Sequence, residues 1–254
     1  ILSVINQTIG FKENIQLIIV NDGSKDNSEK IALKYEKMYP KNIVYIKQKN
    51  AGVCSARNKG FEYVEGEYVN FMDSDDKWDL NAFKYIGDFI KKHPDEADIV
   101  AARIKFFEAK TNYHMLDYKF EKTKVVDILE DYNFAHLHNA TTFIKTEVAK
   151  NHKFDVRLKY CEDAPYINEM VLEKRKFGVV REAIYNYRKR LDASSAVQNK
   201  AISEEWYTNT IEYSYKHMMN VSMNKYNKVI PYIQYVIMYD LQWRLREVMN
   251  KNLS

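Results

Sequence analysis

The sequence is poor in cysteine. Its two residues, Cys54 and Cys161, stand far apart and form no C-x-x-C pair. That excludes a disulfide framework and fits a reducing compartment. Nor is there a run of about 18 apolar residues, so no membrane-spanning helix is expected within these residues. A secretory signal is absent, and the chain opens on Ile1 without a methionine, which reads as a fragment of something longer. A long basic block is missing as well. The 39 basic and 35 acidic residues are mixed along the chain for a formal charge of +4, a solvated surface with no nucleic-acid footprint. What is present is 254 residues at 46% hydrophobic, enough for a full core in one large domain, alone or with an appendage.

The first third alternates strands and helices. Ile1 to Ile9 reads as the end of a helix, and Gln16 to Asn21 (QLIIVN) as a buried parallel strand. A glycine-bearing turn, Asp22 to Ser28, leads into a helix from about Glu29 to Met38, which Pro40 ends. A strand at Ile43 to Gln48, a loop at Asn50 to Gly52, a helix from Val53 to Tyr63 and a strand at Tyr68 to Met72 follow. A helix from Lys77 to Lys92 and a strand from Asp98 to Phe107 continue the pattern. This order implies an α/β, doubly wound, mostly parallel sheet with ligands at the carboxyl ends of its strands. Because such a sheet opens on a strand, one strand is expected before Ile1. Asp22 and Asp73 each sit one residue past a strand, hence on the same rim, and the glycine of the Asn50 to Gly52 loop lets backbone approach a ligand closely.

The strand at Tyr68 runs into Asp73-Ser74-Asp75-Asp76. On extended backbone Asp73 and Asp75 point the same way, two hard oxygen donors suited to Mg2+ or Mn2+ on a diphosphate. Taken alone, the same residues read as an acidic turn capping the next helix. Two further stretches accompany it, VNDGSKDNS and KNAGVCSARNKG. Together, in this order and spacing, the three motifs resemble family 2 glycosyltransferases of the GT-A fold, of the bacterial cell-surface polysaccharide type.

The resemblance implies roles residue by residue. Asp22 binds the nucleobase, Asn50 and Arg57 line the nucleotide pocket, Asp73 contacts the ribose and Asp75 binds the metal. Further on, Phe154, Asp155, Leu158, Glu162 and Asp163 match a segment that supplies the general base, which assigns that role to Asp163. By itself Glu162-Asp163 is equally an acidic helix start. The basic, serine-bearing loop after Tyr187 (Arg188, Lys189, Arg190, Ser194, Ser195) matches a loop that closes over the nucleotide, and Arg188 and Ser195 are taken from it. No histidine there offers itself as a metal ligand. Trp78 is read both as a lining of the sugar pocket and as plain core; Cys54 is read as a small core residue; His136 and His138 either touch an acceptor or fill a structural pocket.

From about Gln198 the composition changes to two helices rich in Tyr, Met and Trp, which divides the chain into a catalytic domain at 1–197 and a helical C-terminal extension at 198–254. The extension packs on the catalytic domain, or else meets a membrane or another subunit through aromatics flanked by Arg244, Arg246 and Lys251. The function expected is transfer of a sugar from a nucleotide-diphosphate donor, UDP by resemblance, to a glycan or lipid-linked acceptor hydroxyl, with inversion, by a cytoplasmic enzyme at the inner face of a bacterial membrane. The alternatives are a sugar nucleotidyltransferase and an inactive relative that binds glycans or nucleotides.

Overall fold

The computed structural model describes residues 1–191 and 203–252. Two short helices, α1 (Leu2–Ile5) and α2 (Phe11–Asn14), precede the first strand, β1 (Leu17–Asn21). Its β-branched run pairs in parallel with β2 (Ile43–Lys47), and α3 (Ser28–Met38) connects them. The entry to α3 is a local device: the Ser28 N–H donates to Asp26 Oδ1 at 2.9 Å. Next come α4 (Val53–Phe61), β3 (Tyr68–Val69), β4 (Lys77–Trp78), α5 (Ala82–Lys92), β5 (Ile99–Glu108), β6 (Lys124–Asp127), β7 (Thr142–Lys145), α6 (Thr146–Ala149), α7 (Asp163–Lys174) and β8 (Lys176–Lys189). The C-terminal part is α8 (Glu204–Asn209), a π-helical turn (Thr210–Tyr215), α9 (Lys216–Tyr226) and α10 (Pro231–Asn252).

The second sheet has the order β3-β7-β5-β8-β4, with β6 also on β8. Its long central ladder, β5 on β8, is parallel, while β3, β4, β6 and β7 join antiparallel. The two parallel ladders are the longest in the molecule, and the α/β class read from the sequence holds.

Strand alternation splits the core in two. Ile99 and Ala101 of β5, Ile144 of β7 and Phe177 and Val179 of β8 face α7 and the C-terminal helices, where Ile167, Met170, Tyr232, Ile233 and Val236 lie fully buried. Val100, Ala102, Phe143 and Val180 face the other way, onto Ala82, Ile86 and Phe89 of α5. Those three recur at helical spacing, so one stripe of α5 covers that face.

Two expectations are corrected. Lys77 and Trp78 do not open a helix; they form β4, held against Asn186 and Tyr185 of β8, and α5 starts only at Ala82. Trp78 is core: it is 4% exposed, with the rings of Tyr185, Phe83 and Phe143 at 4.7, 5.4 and 5.4 Å. Arg244 flanks no exposed surface either, being 3% exposed. Among the described residues, no helix is long and apolar enough to cross a membrane.

Candidate active site

Of the residues singled out by sequence, Asp22 and Asn50 form one group, and Arg57, Asp73, Glu162 and Asp163 a second. The first forms where β1 ends. Asp22 Oδ1 accepts from the Ala51 N–H at 2.8 Å and from Gln48 Nε2 at 2.8 Å, and Oδ2 accepts from the Gly52 N–H at 2.9 Å. In return Asn50 Nδ2 donates to the Asp22 carbonyl at 2.9 Å. Asp22 therefore shapes the Asn50 to Gly52 loop, and the loop delivers the chain into α4. Gly23 makes the contact possible. Its φ is +81°, and a Cβ there would stand 3.1 Å from the Asn50 nitrogen.

The second group is centred on Arg57 of α4, whose side chain is 11% exposed. Nη1 donates to Glu162 Oε1 at 2.9 Å and to Asp163 Oδ1 at 2.8 Å, and Nη2 to Asp73 Oδ1 at 3.0 Å. The guanidinium also lies over the Phe154 ring at 5.2 Å. A planar fork with five donors suits this task, which a point charge could not perform. Asp163 Oδ2 accepts from the Asn139 N–H at 3.1 Å, so both oxygens of Asp163 are held.

One guanidinium against three carboxylates leaves the cluster rich in negative charge. Burial lifts Asp73 above the usual carboxylate range, with Arg57 working against it and Asp163 with it. Glu162 is lifted too, first by burial and then by the charge of Asp163. Beside them burial pushes Asp76 up to about 7, although its carboxylate accepts from the Arg188 N–H at 2.7 Å.

Asp73 and Asp75 do not alternate on a strand as expected. β3 stops at Val69, and the Asp76 N–H closes a turn on the Asp73 carbonyl at 3.3 Å. The turn sends the two carboxylates to different partners. Asp75 Oδ2 accepts from Arg190 Nε at 3.1 Å and Nη2 at 2.8 Å. Arg190 thus stands on the second Asp of the motif, while the Arg188 side chain turns to Glu108. Ser195 lies outside the described residues. Among those described, no three His, Cys, Asp or Glu side chains converge to hold a metal. Asp75 by itself would be only a partial ligand set for Mg2+ or Mn2+, completed by phosphate and water oxygens.

Cys54 is a core residue: it is 3% exposed, donates to the Leu158 carbonyl at 3.2 Å, and burial raises its thiol to about 12. His136 is buried between Thr142 Oγ1 at 2.6 Å and Lys119 Nζ at 3.2 Å, and His138 is half-buried with its ring 4.6 Å from that of His114. Both line one small cavity. Sequence reasoning missed Tyr185, whose hydroxyl accepts from the Asp73 N–H at 3.2 Å, and the Asn139 amide on Asp163. Alternation along β8 could have flagged Tyr185; nothing local signals a backbone N–H.

Comparison with known proteins gives the family. Residues 1–152 match the family described as Glycosyl transferase family 2. The chain is 43% identical over 243 residues to the minor teichoic acid biosynthesis protein GgaB of Bacillus subtilis, covering 96% of this chain and 27% of that protein. It is 36% identical over 244 residues to GgaA of the same organism, covering 94% and 54%. The chain thus spans about a quarter of one relative and about half of the other. Among solved structures, S. aureus TarS 1-349 in complex with UDP superposes with a TM-score of 0.71 at 21% identity, over 89% of this chain and 61% of that one, a likeness of fold.

Proposed function

Because the chain belongs to glycosyltransferase family 2, we propose that it moves a sugar from a nucleotide-diphosphate donor, UDP by preference, to a hydroxyl of a teichoic-acid-type, lipid-linked or other cell-surface glycan acceptor, with inversion. The observation that carries this reading is the Arg57 fork. It joins Asp73 to Asp163, which lies 106 residues from Arg57 in the chain, and this supports reading Asp73 as the donor-side carboxylate and Asp163 as the base.

In this reading Asp22 and Asn50 take the nucleobase end, Arg57 shapes the pocket wall, and Asp73 meets the ribose. Asp75 is the carboxylate that would hold Mg2+ or Mn2+. A divalent ion supplies Lewis-acid stabilisation of the departing diphosphate, worth several kcal/mol. In this reading Arg190 leaves Asp75, and Arg188 leaves Glu108, for the diphosphate oxygens, and Ser195 is assigned to the same loop. Asp163 takes the proton from the attacking hydroxyl. Arg57 and the Asn139 amide hold its carboxylate in one orientation, which positioned base catalysis requires. One base serving one in-line attack gives inversion at the anomeric carbon.

The names of the relatives support a teichoic-acid-type acceptor, and the UDP in the TarS structure supports a UDP-sugar. Met238, Leu245 and Met249 are exposed on one side of α10, which supports contact with the inner face of a membrane or with another subunit. Calorimetry of UDP, UDP-glucose, UDP-N-acetylglucosamine and UDP-N-acetylgalactosamine, with and without Mn2+, on the wild type and on Asp75→Ala, tests the donor site. Metal-dependent binding that disappears in the variant is expected. No binding of any of these by the wild type would sink the reading.

A further inference from the structure

The segment that delivers Glu162 and Asp163 has almost no regular structure of its own between Phe154 and Glu162. Its shape must come from what grips it. On one side the grip is α4. Asn58 Nδ2 donates to the Phe154 carbonyl and Asn58 Oδ1 accepts from the Phe154 N–H, both at 2.9 Å, and Cys54 binds the Leu158 carbonyl.

On the other side the grip is the C-terminal helical layer. Asn209 Nδ2 donates to the Arg157 carbonyl at 3.2 Å, and the Arg157 guanidinium lies 4.0 Å from the Tyr213 ring centroid. Lys159 pairs with Glu205 at 3.3 Å. The most buried member is Arg244 of α10. Its Nη1 donates to Asp240 Oδ2 at 2.5 Å and to the Tyr215 hydroxyl at 2.6 Å, its Nε to the Trp206 carbonyl at 3.1 Å, and its Nη2 to Cys161 Sγ at 3.4 Å. The Trp206 ring lies 4.7 Å from the guanidinium carbon.

Cys161 is two residues before Asp163, and its φ is +60°. A residue with a side chain disfavours that left-handed backbone, and it persists only where its surroundings impose it. A buried guanidinium is likewise costly to desolvate and is kept in place by the full set of its partners. Asp240 and Tyr215 would suffice to join the C-terminal helices to one another. The bond to Cys161 does something else: it reaches across to the loop entering α7.

We infer that Arg244 is a positioning residue for Asp163. By holding Cys161 in the left-handed conformation, it sets the direction in which Glu162 and Asp163 enter α7 and meet the Arg57 fork. The C-terminal layer is then part of the catalytic apparatus, acting through another residue and touching no substrate. This rests on the transferase reading above.

The test uses Cys161→Ala, Cys161→Ser and Arg244→Lys in the whole protein, with the double variant Arg244→Lys/Cys161→Ala. Three quantities are measured: affinity for the UDP-sugar that binds the wild type, the rate of UDP release from it, and hydrogen exchange of the 159–163 amides. Cys161→Ala and Arg244→Lys should lower kcat roughly ten- to a hundredfold, the scale of a small misplacement of a catalytic group. Donor affinity should stay within about twofold, and exchange should quicken at 159–163 while β1 stays protected. Cys161→Ser keeps an acceptor and should recover most of kcat, and the double variant should be no worse than the poorer single. An unchanged kcat, uniform loosening of the whole chain, or a serine variant no better than alanine would overturn the inference. A wild type that binds no UDP-sugar strikes the transferase reading instead, and the exchange data still decide whether Arg244 orders the loop.

Discussion

At the scale of single residues, the site depends on how one guanidinium distributes three carboxylates. Asp163→Asn keeps the shape of the side chain and removes the base. Turnover should fall roughly 10²- to 10⁴-fold with donor affinity retained, checked by UDP release and calorimetry on one preparation. A second residue-scale prediction concerns stability, at a cluster away from the carboxylate rim. Glu169 accepts from His152 Nδ1 at 3.3 Å and from His217 Nε2 at 3.5 Å, and His152 Nε2 also meets Glu173 at 3.2 Å. Burial works against the charge on His152, but hydrogen bonds to the two glutamates raise it, and Glu169 raises His217. The same bonds, that to His152 foremost, lower Glu169 to about 2. Raised histidines stabilise the fold below their ordinary value, near 6.5, and the gain is lost as pH climbs through the raised values. A lowered glutamate stabilises above its ordinary value, near 4.3, and the gain is lost as pH falls toward 2. The Tm difference between wild type and Glu169→Gln should therefore be widest between the ordinary glutamate and histidine values, about 4.3 and 6.5, and shrink as pH climbs past the second; thermal melts at rising pH measure it. These contacts were invisible in the sequence, because residues on separate elements meet only after the chain packs.

Individual elements were legible where local chemistry sufficed. The QLIIVN run, the helix after the Asp22 to Ser28 turn and the helix entered through Gly52 all form within a residue or two of expectation, since β-branched runs and turn formers act locally. The pattern failed where pairing decided. Lys77 and Trp78 became a strand because β8 lies beside them, and the Tyr68 strand ended early because the acidic turn bends away. One interface at this scale is sharply constrained. A Cβ on Gly178 of β8 would fall 2.2 Å from Phe89 Cε1, so α5 packs flat on the sheet only over a glycine. Gly178→Ala should cost about 1–3 kcal/mol as an overpacked core, read from denaturant midpoints, and Phe89→Leu in the same chain should recover part of it. At the rim, Gly23→Ala meets both the positive φ and the Asn50 backbone. It should weaken UDP binding severalfold while Tm falls only a few degrees, the two being followed by calorimetry and melting.

For the whole molecule, the helices that follow the composition change near residue 198 pack into the core of what precedes them. Tyr232, Ile233 and Val236 of α10 are fully buried with Ile167 and Met170 of α7, and the Tyr226 hydroxyl donates to the Leu172 carbonyl at 2.8 Å. Each such apolar side chain contributes about 1.5–3 kcal/mol on burial. A chain cut after residue 197 should therefore lose cooperative melting and bind a hydrophobic dye; a sharp melt from the cut chain would show that the N-terminal part stands alone. The sequence by itself determined the α/β class, the order of the first strands and helices, the family and the position of Asp22 at the end of β1, because each of these is written in residue type and short-range spacing. Only the tertiary structure decided that Arg57 would bind Asp73, Glu162 and Asp163 at once, that Arg190 would stand on Asp75, and that α10 would reach Cys161. Those contacts join residues far apart in the chain, and their geometry is set by which strands pair and which helix faces bury, a property of the packed whole that no local stretch contains.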